Sequence, residues 1–254
     1  VVAQGQEQSF IQTIDRNLLQ NQKTKTESLQ ASSRLRVPIA SKLQYAQTQM
    51  KIAFPRNAVT FFADQQQILW LDQAGILWRQ TIGDTQPNRL NEEPLVIEEK
   101  APYKIFVLRI EYFIQKRETL YMFNKHASAF EEFFELFHAM ALSPDAKKLA
   151  LSTGKEIWLY FFEEDREQPY RQRGEKLFLT RLSGDITNLD WINSHYLMFS
   201  LGDSVIVSEI DNRDNLNTVE LAKFPSPSFF WQNASKTLLL HTGNQIVVSE
   251  NLLP

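Results

Sequence analysis

From about residue 58 to the end, the chain is a succession of short apolar runs rich in β-branched and aromatic residues. Ile68-Leu69-Trp70-Leu71, Ile76-Leu77-Trp78, Lys104-Ile105-Phe106-Val107-Leu108 and Thr119-Leu120-Tyr121-Met122-Phe123 are separated by Gly, Asn, Asp or Pro. Leu149-Ala150-Leu151, Ile157-Trp158-Leu159-Tyr160, Leu197-Met198-Phe199, Val205-Ile206-Val207, Leu238-Leu239-Leu240 and Ile246-Val247-Val248 continue the series. Runs of this length with turn residues between them predict an all-β chain of short strands, which need partners to satisfy their backbones. The stretch 130–137 has apolar residues at both helical and strand spacing, so it reads either as an amphipathic helix or as an outer strand; core packing is the favoured role for its aromatics.

The residues before 58 follow a different pattern. Phe10, Ile14, Leu18 and Leu19 recur at helical spacing and predict a short amphipathic helix over about 9–20, followed by a polar link through 21–33. From Arg34, the residues Leu35, Val37, Ile39, Leu43 and Tyr45 alternate loosely with polar ones, giving strand-like pieces that lead to Met50-Lys51-Ile52-Ala53-Phe54.

Internal repetition decides the architecture. Leu149-Ala150-Leu151-Ser152-Thr153-Gly154-Lys155-Glu156-Ile157 matches Leu197-Met198-Phe199-Ser200-Leu201-Gly202-Asp203-Ser204-Val205 at an offset of 48, and Leu238-Leu239-Leu240-His241-Thr242-Gly243-Asn244-Gln245-Ile246 follows 41 residues later. A looser copy at 68–76 lies 81 residues before the first, about two periods, and 103–124 supplies a weaker strand pair where the intervening copy should fall. Each unit is an apolar strand, a tight turn centred on Gly and a second apolar strand. The turn needs positive φ, which Gly154, Gly202 and Gly243 can supply. Trp191-Ile192-Asn193-Ser194 and Trp231-Gln232-Asn233-Ala234 stand in one register before their hairpins. Several strands per period of roughly 40 to 50 residues indicate propeller blades. A β-sandwich is the rival, but it requires no motif at near-constant period.

Composition narrows the function classes. The chain has 254 residues, 43% of them hydrophobic, enough to bury a core. Residues 1–57 carry eight basic and three acidic groups, a balance of +5, and ten glutamines fall in the first fifty positions; the rest of the chain is at −8, for a total of −3. That balance gives no global attraction to nucleic acid or anionic lipid. No apolar run is long enough to span a membrane as a helix. The absence of cysteine removes disulfides, thiolate-held metals and a thiol nucleophile.

Ser143-Pro144-Asp145-Ala146-Lys147-Lys148-Leu149-Ala150, followed by Thr153-Gly154-Lys155-Glu156-Ile157-Trp158, resembles the S-P-D-G-K-x-[IL]-[AV]…G-x-x-I-[YW] repeat of TolB-type, WD-repeat-like propellers. The stretch from Ser143 to about Val248, including Glu167-Gln168-Pro169-Tyr170 and Gly174-Glu175-Lys176, is similar to the C-terminal propeller of bacterial PEGA-domain-containing proteins of candidate-phyla type. That resemblance implies surface-associated binding rather than catalysis, and an N-terminal anchor and a small PEGA β-domain ahead of the propeller. No anchor is visible, and residues 1–57 lack the Gly/Pro-rich turns of a PEGA domain, so the expectation is a propeller portion.

Motifs for chemistry are missing. His126, His138, His195 and His241 have no metal-binding spacing, and no G-x-S-x-G, P-loop or G-x-G-x-x-G occurs. His138 and His241, beside or within apolar strands, read as hydrogen-bonded core histidines; His195 reads as a turn residue. The run 211–215 offers oxygen ligands for calcium but lacks the Gly and distal Glu of an EF-hand, so a polar hairpin turn is favoured. Asn233-Ala234-Ser235 is a formal glycosylation sequon at a blade turn. The best candidate interaction element is the long charged connection after Phe161, with Glu163, Glu164, Asp165, Arg166, Tyr170, Arg171 and Arg173 as its site residues, because it exceeds an ordinary hairpin loop.

The sequence therefore predicts an all-β chain. Residues 1–57 form a polar, basic segment that links or closes the ring. Residues 58–254 form a WD-repeat-like β-propeller of about five or six four-stranded blades, with the ring incomplete in one version of the reading. Its expected role is non-catalytic binding of a protein or assembly, with a glycan as the other ligand class, no cofactor or metal, no nucleic acid, and a place in the bacterial envelope. The alternative is a propeller module of an enzyme, gating an oligopeptidase or processing glycans, whose catalytic part is absent from the chain or unrecognised in it.

Overall fold

The computed structural model describes Pro55, residues 57–213 and residues 215–252. The helix expected over 9–20 and the strand-like pieces over 34–54 lie outside these residues. The described residues form nineteen strands and no helix. They divide into two compact units: one runs to Glu99 and takes in Tyr103–Ile105, the other holds Lys100–Pro102 and everything from Phe106.

The first unit contains one four-stranded sheet in chain order, β1 (Ala58–Ala63), β2 (Gln67–Asp72), β3 (Leu77–Thr81) and β4 (Asn88–Arg89), with antiparallel neighbours. Leu69, Leu71 and Leu77 are fully buried, and the rings of Trp70 and Trp78 stack at 6.4 Å. Two buried polar side chains hold the β2–β3 turn. Asp72 accepts from the main-chain N–H groups of Ala74 and Ile76 and from the Trp78 indole at 2.8 Å. Asn91 accepts from Leu77 N and donates to the oxygen of Gly75 at 2.9 Å. Gly75 adopts φ +79°, and a Cβ there would meet the Leu95 main-chain oxygen at 2.0 Å, so this turn admits no side chain.

The second unit repeats one plan. β5 (Tyr103–Leu108), whose first three residues fall with the first unit, is followed in its sheet by β6 (Glu111–Lys116), β7 (Thr119–Asn124) and β8 (Ala129–Phe134). The next sheet holds β9 (Ala139–Leu142), β10 (Lys148–Ser152), β11 (Glu156–Phe161) and β12 (Lys176–Arg181). Then come β13 (Ile186–Asn193), β14 (Tyr196–Leu201), β15 (Ser204–Glu209) and β16 (Thr218–Lys223), and a three-stranded sheet of β17 (Ser228–Gln232), β18 (Thr237–Thr242) and β19 (Gln245–Val248). Each sheet is a meander of chain neighbours. Gly154, Gly202 and Gly243 turn the second strand into the third at φ 93°, 58° and 54°, the positive values that the repeat requires. The stretch 130–137 resolves as strand β8 and its exit, with Phe133, Phe134 and Phe137 buried.

Alternation along these strands sends apolar side chains to both faces, which is why the runs are continuous rather than half polar. On β11, Ile157, Leu159 and Phe161 enter a cluster with Trp191, Leu197 and Phe199 of the next sheet. The other face of the same strand sends Trp158 and Tyr160 against Phe133, Leu149 and Leu151. A third cluster joins Met198 and Val205 to Trp231, Leu238 and Leu240. Each buried side chain of this size contributes about 1.5–3 kcal/mol.

The Ser143-Pro144-Asp145 turn leads into β10. Ser143 Oγ accepts from Lys148 N at 2.9 Å and donates to Asp145, and Asp145 accepts from Lys147 N at 3.0 Å. Ala146 lies at φ 58°, the left-handed region where the related repeat motif carries Gly.

The histidines differ from expectation. His241 lies within β18, but strand alternation turns it to the outward face, and His138 lies in the link from β8 to β9, with its main-chain N–H tied to Ser152 O at 2.8 Å. Both are exposed, so neither is a core histidine.

Candidate functional site

In a four-strand meander the first and third connections lie at one end of the sheet and the second at the other. The glycine hairpins are second connections. The opposite end therefore collects the Ser143 turn, the long connection 162–175, the β13–β14 turn and the β15–β16 connection. Three of these four surround a cleft of about 400 Å³ in the second unit.

The connection 162–175 is well tied. Asp165 and Arg171 exchange two main-chain hydrogen bonds at 2.9 and 3.0 Å, closing a neck below its tip, and Gly174 N donates to Phe161 O at 2.7 Å. The tip contains a cis Gln168–Pro169 bond. Lys148, only 3% exposed, extends from β10 to Asp165 Oδ2 at 3.1 Å and to Asp145 Oδ2 at 3.5 Å, binding this connection to the Ser143 turn. Arg171 reaches Glu175 at 3.1 Å and Asn212 at 2.8 Å, which carries the link across to the next sheet.

The cleft wall on this side is Asp165, Glu167, Gln168, Pro169 and Arg171; the other side is His195, Tyr196, Glu209 and Asp211. Phe161, Leu177 and Ile210 give it an apolar part. Of the four carboxylates on these walls, Asp165 is paired with Lys148 and Asp211 with Arg213, while the one guanidinium, that of Arg171, is shared between Glu175 and Asn212; Glu167 and Glu209 have no ion pair among the described residues. Asp211 is held below the usual carboxylate range by the Arg213 side chain. Burial pushes the Asp145 carboxyl up, but the Ser143 hydroxyl, the Lys147 amide and Lys148 outweigh it and hold it at about 2. Tyr170 is pushed up by its hydrogen bond to Glu164. Among the described residues no group of three His, Asp or Glu side chains is placed to hold a metal ion.

Of the seven residues singled out from sequence, Asp165 and Arg171 line the cleft. Glu163 instead pairs with Arg109, whose guanidinium sits 5.8 Å from the Phe162 ring centre, and Glu164 pairs with Arg166 on the outside. Tyr170 and Arg173 are not among the lining residues. Glu167, His195, Tyr196, Glu209 and Asp211 were missed as site residues. The signal that finds them is the meander itself, since the β13–β14 turn and the β15–β16 connection fall at the same end as the long one.

No protein-family model matches the chain, and no curated protein matches it in sequence. Solved structures do. Hsv2 of Kluyveromyces lactis is 12% identical over 78% of this chain with a TM-score of 0.50, and a second Hsv2 structure, with its loop 6CD complete, is 13% identical over the same share with the same score. YCF48 of Cyanidioschyzon merolae is 7% identical over 78% of this chain and 70% of its own, at 0.49. The fold is a β-propeller of four-stranded antiparallel blades, and the repeat unit read from the sequence is the blade. The chain spans 63% and 62% of the Hsv2 structures it matches.

Proposed function

We propose that the chain is a non-catalytic binding propeller, and that the cleft between the 162–175 connection and the blade after it receives a basic segment of a protein partner. The observation that carries this is the lining: Glu167 and Glu209 have no ion pair among the described residues, the one lining guanidinium, Arg171, is already engaged, and Leu177, Ile210 and Tyr196 are available to the aliphatic stem of a lysine or arginine. Propeller folds suit recognition by connections presented on a rigid scaffold, and here Lys148 fixes one such connection from within the core. A place at the bacterial envelope and the absence of catalysis belong to the same proposal and rest on the resemblance of 143–248 to PEGA-associated propellers.

The test is to probe an array of random-sequence peptides and a glycan array with the full chain. The proposal expects peptides rich in Lys and Arg to be retained, with binding lost in Glu167→Lys. Retention of glycans alone, or of acidic peptides, overturns it.

A further inference from the structure

One wall of the cleft sets an aromatic ring beside a carboxylate. Tyr196 is the first residue of β14 and Glu209 the last of β15, and the antiparallel register places them directly opposite each other. Opposed residues of such a pair project from one face with Cβ atoms about 5 Å apart. Both line the cleft, and Tyr196 is 40% exposed. Local hydrogen bonds hold the pair in place. Asn193 Oδ1 accepts from the main-chain N–H groups of His195 and Tyr196 at 2.8 and 3.0 Å, and Ile210 N donates to His195 O at 3.0 Å. Glu209 Oε1 accepts from Asn217 N at 3.1 Å, while Oε2 takes no hydrogen bond among the described residues. On the opposite wall stands Glu167, exposed near the tip of the 162–175 connection, its main-chain N–H on Asp165 Oδ1 at 3.2 Å and its carboxylate without an ion pair among the described residues.

Resting on the reading of this cleft as the seat of a basic segment, we infer that it selects arginine over lysine, with Tyr196 as the specificity-determining residue. A guanidinium is planar, stacks on aromatic faces and carries N–H donors along its edges. Laid on the Tyr196 ring, it turns one edge to Glu209 and leaves another for Glu167 on the facing wall. An ammonium is a compact, strongly hydrated point charge. It pairs with one carboxylate, gains no planar stacking, and gives up water to enter a wall that is part aromatic. The rest of the lining fits the same ligand: Leu177 and Ile210 offer apolar surface to the methylene stem of an arginine. The chain's own Arg171 does not compete for the two carboxylates, because Glu175 and Asn212 already hold its guanidinium.

The test titrates the full chain into fluorescent glycine–serine peptides that differ only in carrying arginines or lysines, and reads binding by anisotropy. The arginine peptide should bind at least about fivefold more tightly. Tyr196→Leu should bring it down to the level of the lysine peptide, whose own affinity stays the same and so reports an intact cleft. Tyr196→Phe keeps the ring and should keep the preference. Equal affinities for the two peptides in the unaltered chain overturn the inference while leaving the basic-segment reading in place. A preference that survives Tyr196→Leu, or an equal loss of both peptides in that variant, overturns it as well. Binding of neither peptide to the unaltered chain removes the basic-segment reading, and this inference with it.

Discussion

The indole Nε1 of Trp191, on β13, donates to the main-chain oxygen of Ala141, on β9, at 2.9 Å. A side chain of one blade thus closes a hydrogen bond on the first strand of the blade before it. Trp231 holds the same place in β17, yet its Nε1 is buried with no acceptor among the described residues. Replacing a donor that has a partner leaves the partner unsatisfied, whereas replacing an orphaned one removes a penalty. Trp191→Phe should therefore cost about 1 kcal/mol more than Trp231→Phe, measured by urea unfolding of the two variants.

Ala146 stands at φ 58° in the turn before β10. An L side chain pays for this conformation and glycine does not, while glycine loses more chain entropy on folding. Ala146→Gly should raise stability by about 0.5–1 kcal/mol, seen as a higher thermal midpoint.

Asp145 is held at about 2 against an ordinary value of 3.8. A carboxyl with a depressed folded value contributes stability that is present above its unfolded value and is lost as pH falls through the folded one. Stability should thus decline between about pH 4 and pH 2, and Asp145→Asn should flatten that part of the unfolding profile.

Lys148 is the buried cation between Asp145 and Asp165. Lys148→Met leaves two partly exposed carboxylates facing each other without it, at a cost of about 2 kcal/mol. Hydrogen exchange should quicken across 162–175 first, because Lys148 ties that connection to the Ser143 turn, while the β11 amides at the blade centre stay protected.

The blades were legible because their physics repeats: a buried apolar strand, a positive-φ glycine and a second strand recur at offsets of 48 and 41, so one matched unit supports the others. The connection 162–175 was legible by its length and charge. The other cleft wall was not, since His195, Tyr196 and Glu209 sit in ordinary-looking turns and become neighbours of Asp165 only through the packing of two blades. The histidine reading failed for a related reason: His241 lies in an apolar strand, but the face it points to depends on register rather than on the run's composition.

The cleft is the centre of the account, and the most direct measurement is a calorimetric titration of the full chain with the tightest-binding basic peptide from the array. It is repeated for Glu167→Lys in the cleft and Glu131→Lys on the exposed face of β8. The account predicts that the first substitution weakens binding at least about tenfold and the second leaves it unchanged. Equal losses in both, or none in either, would contradict it.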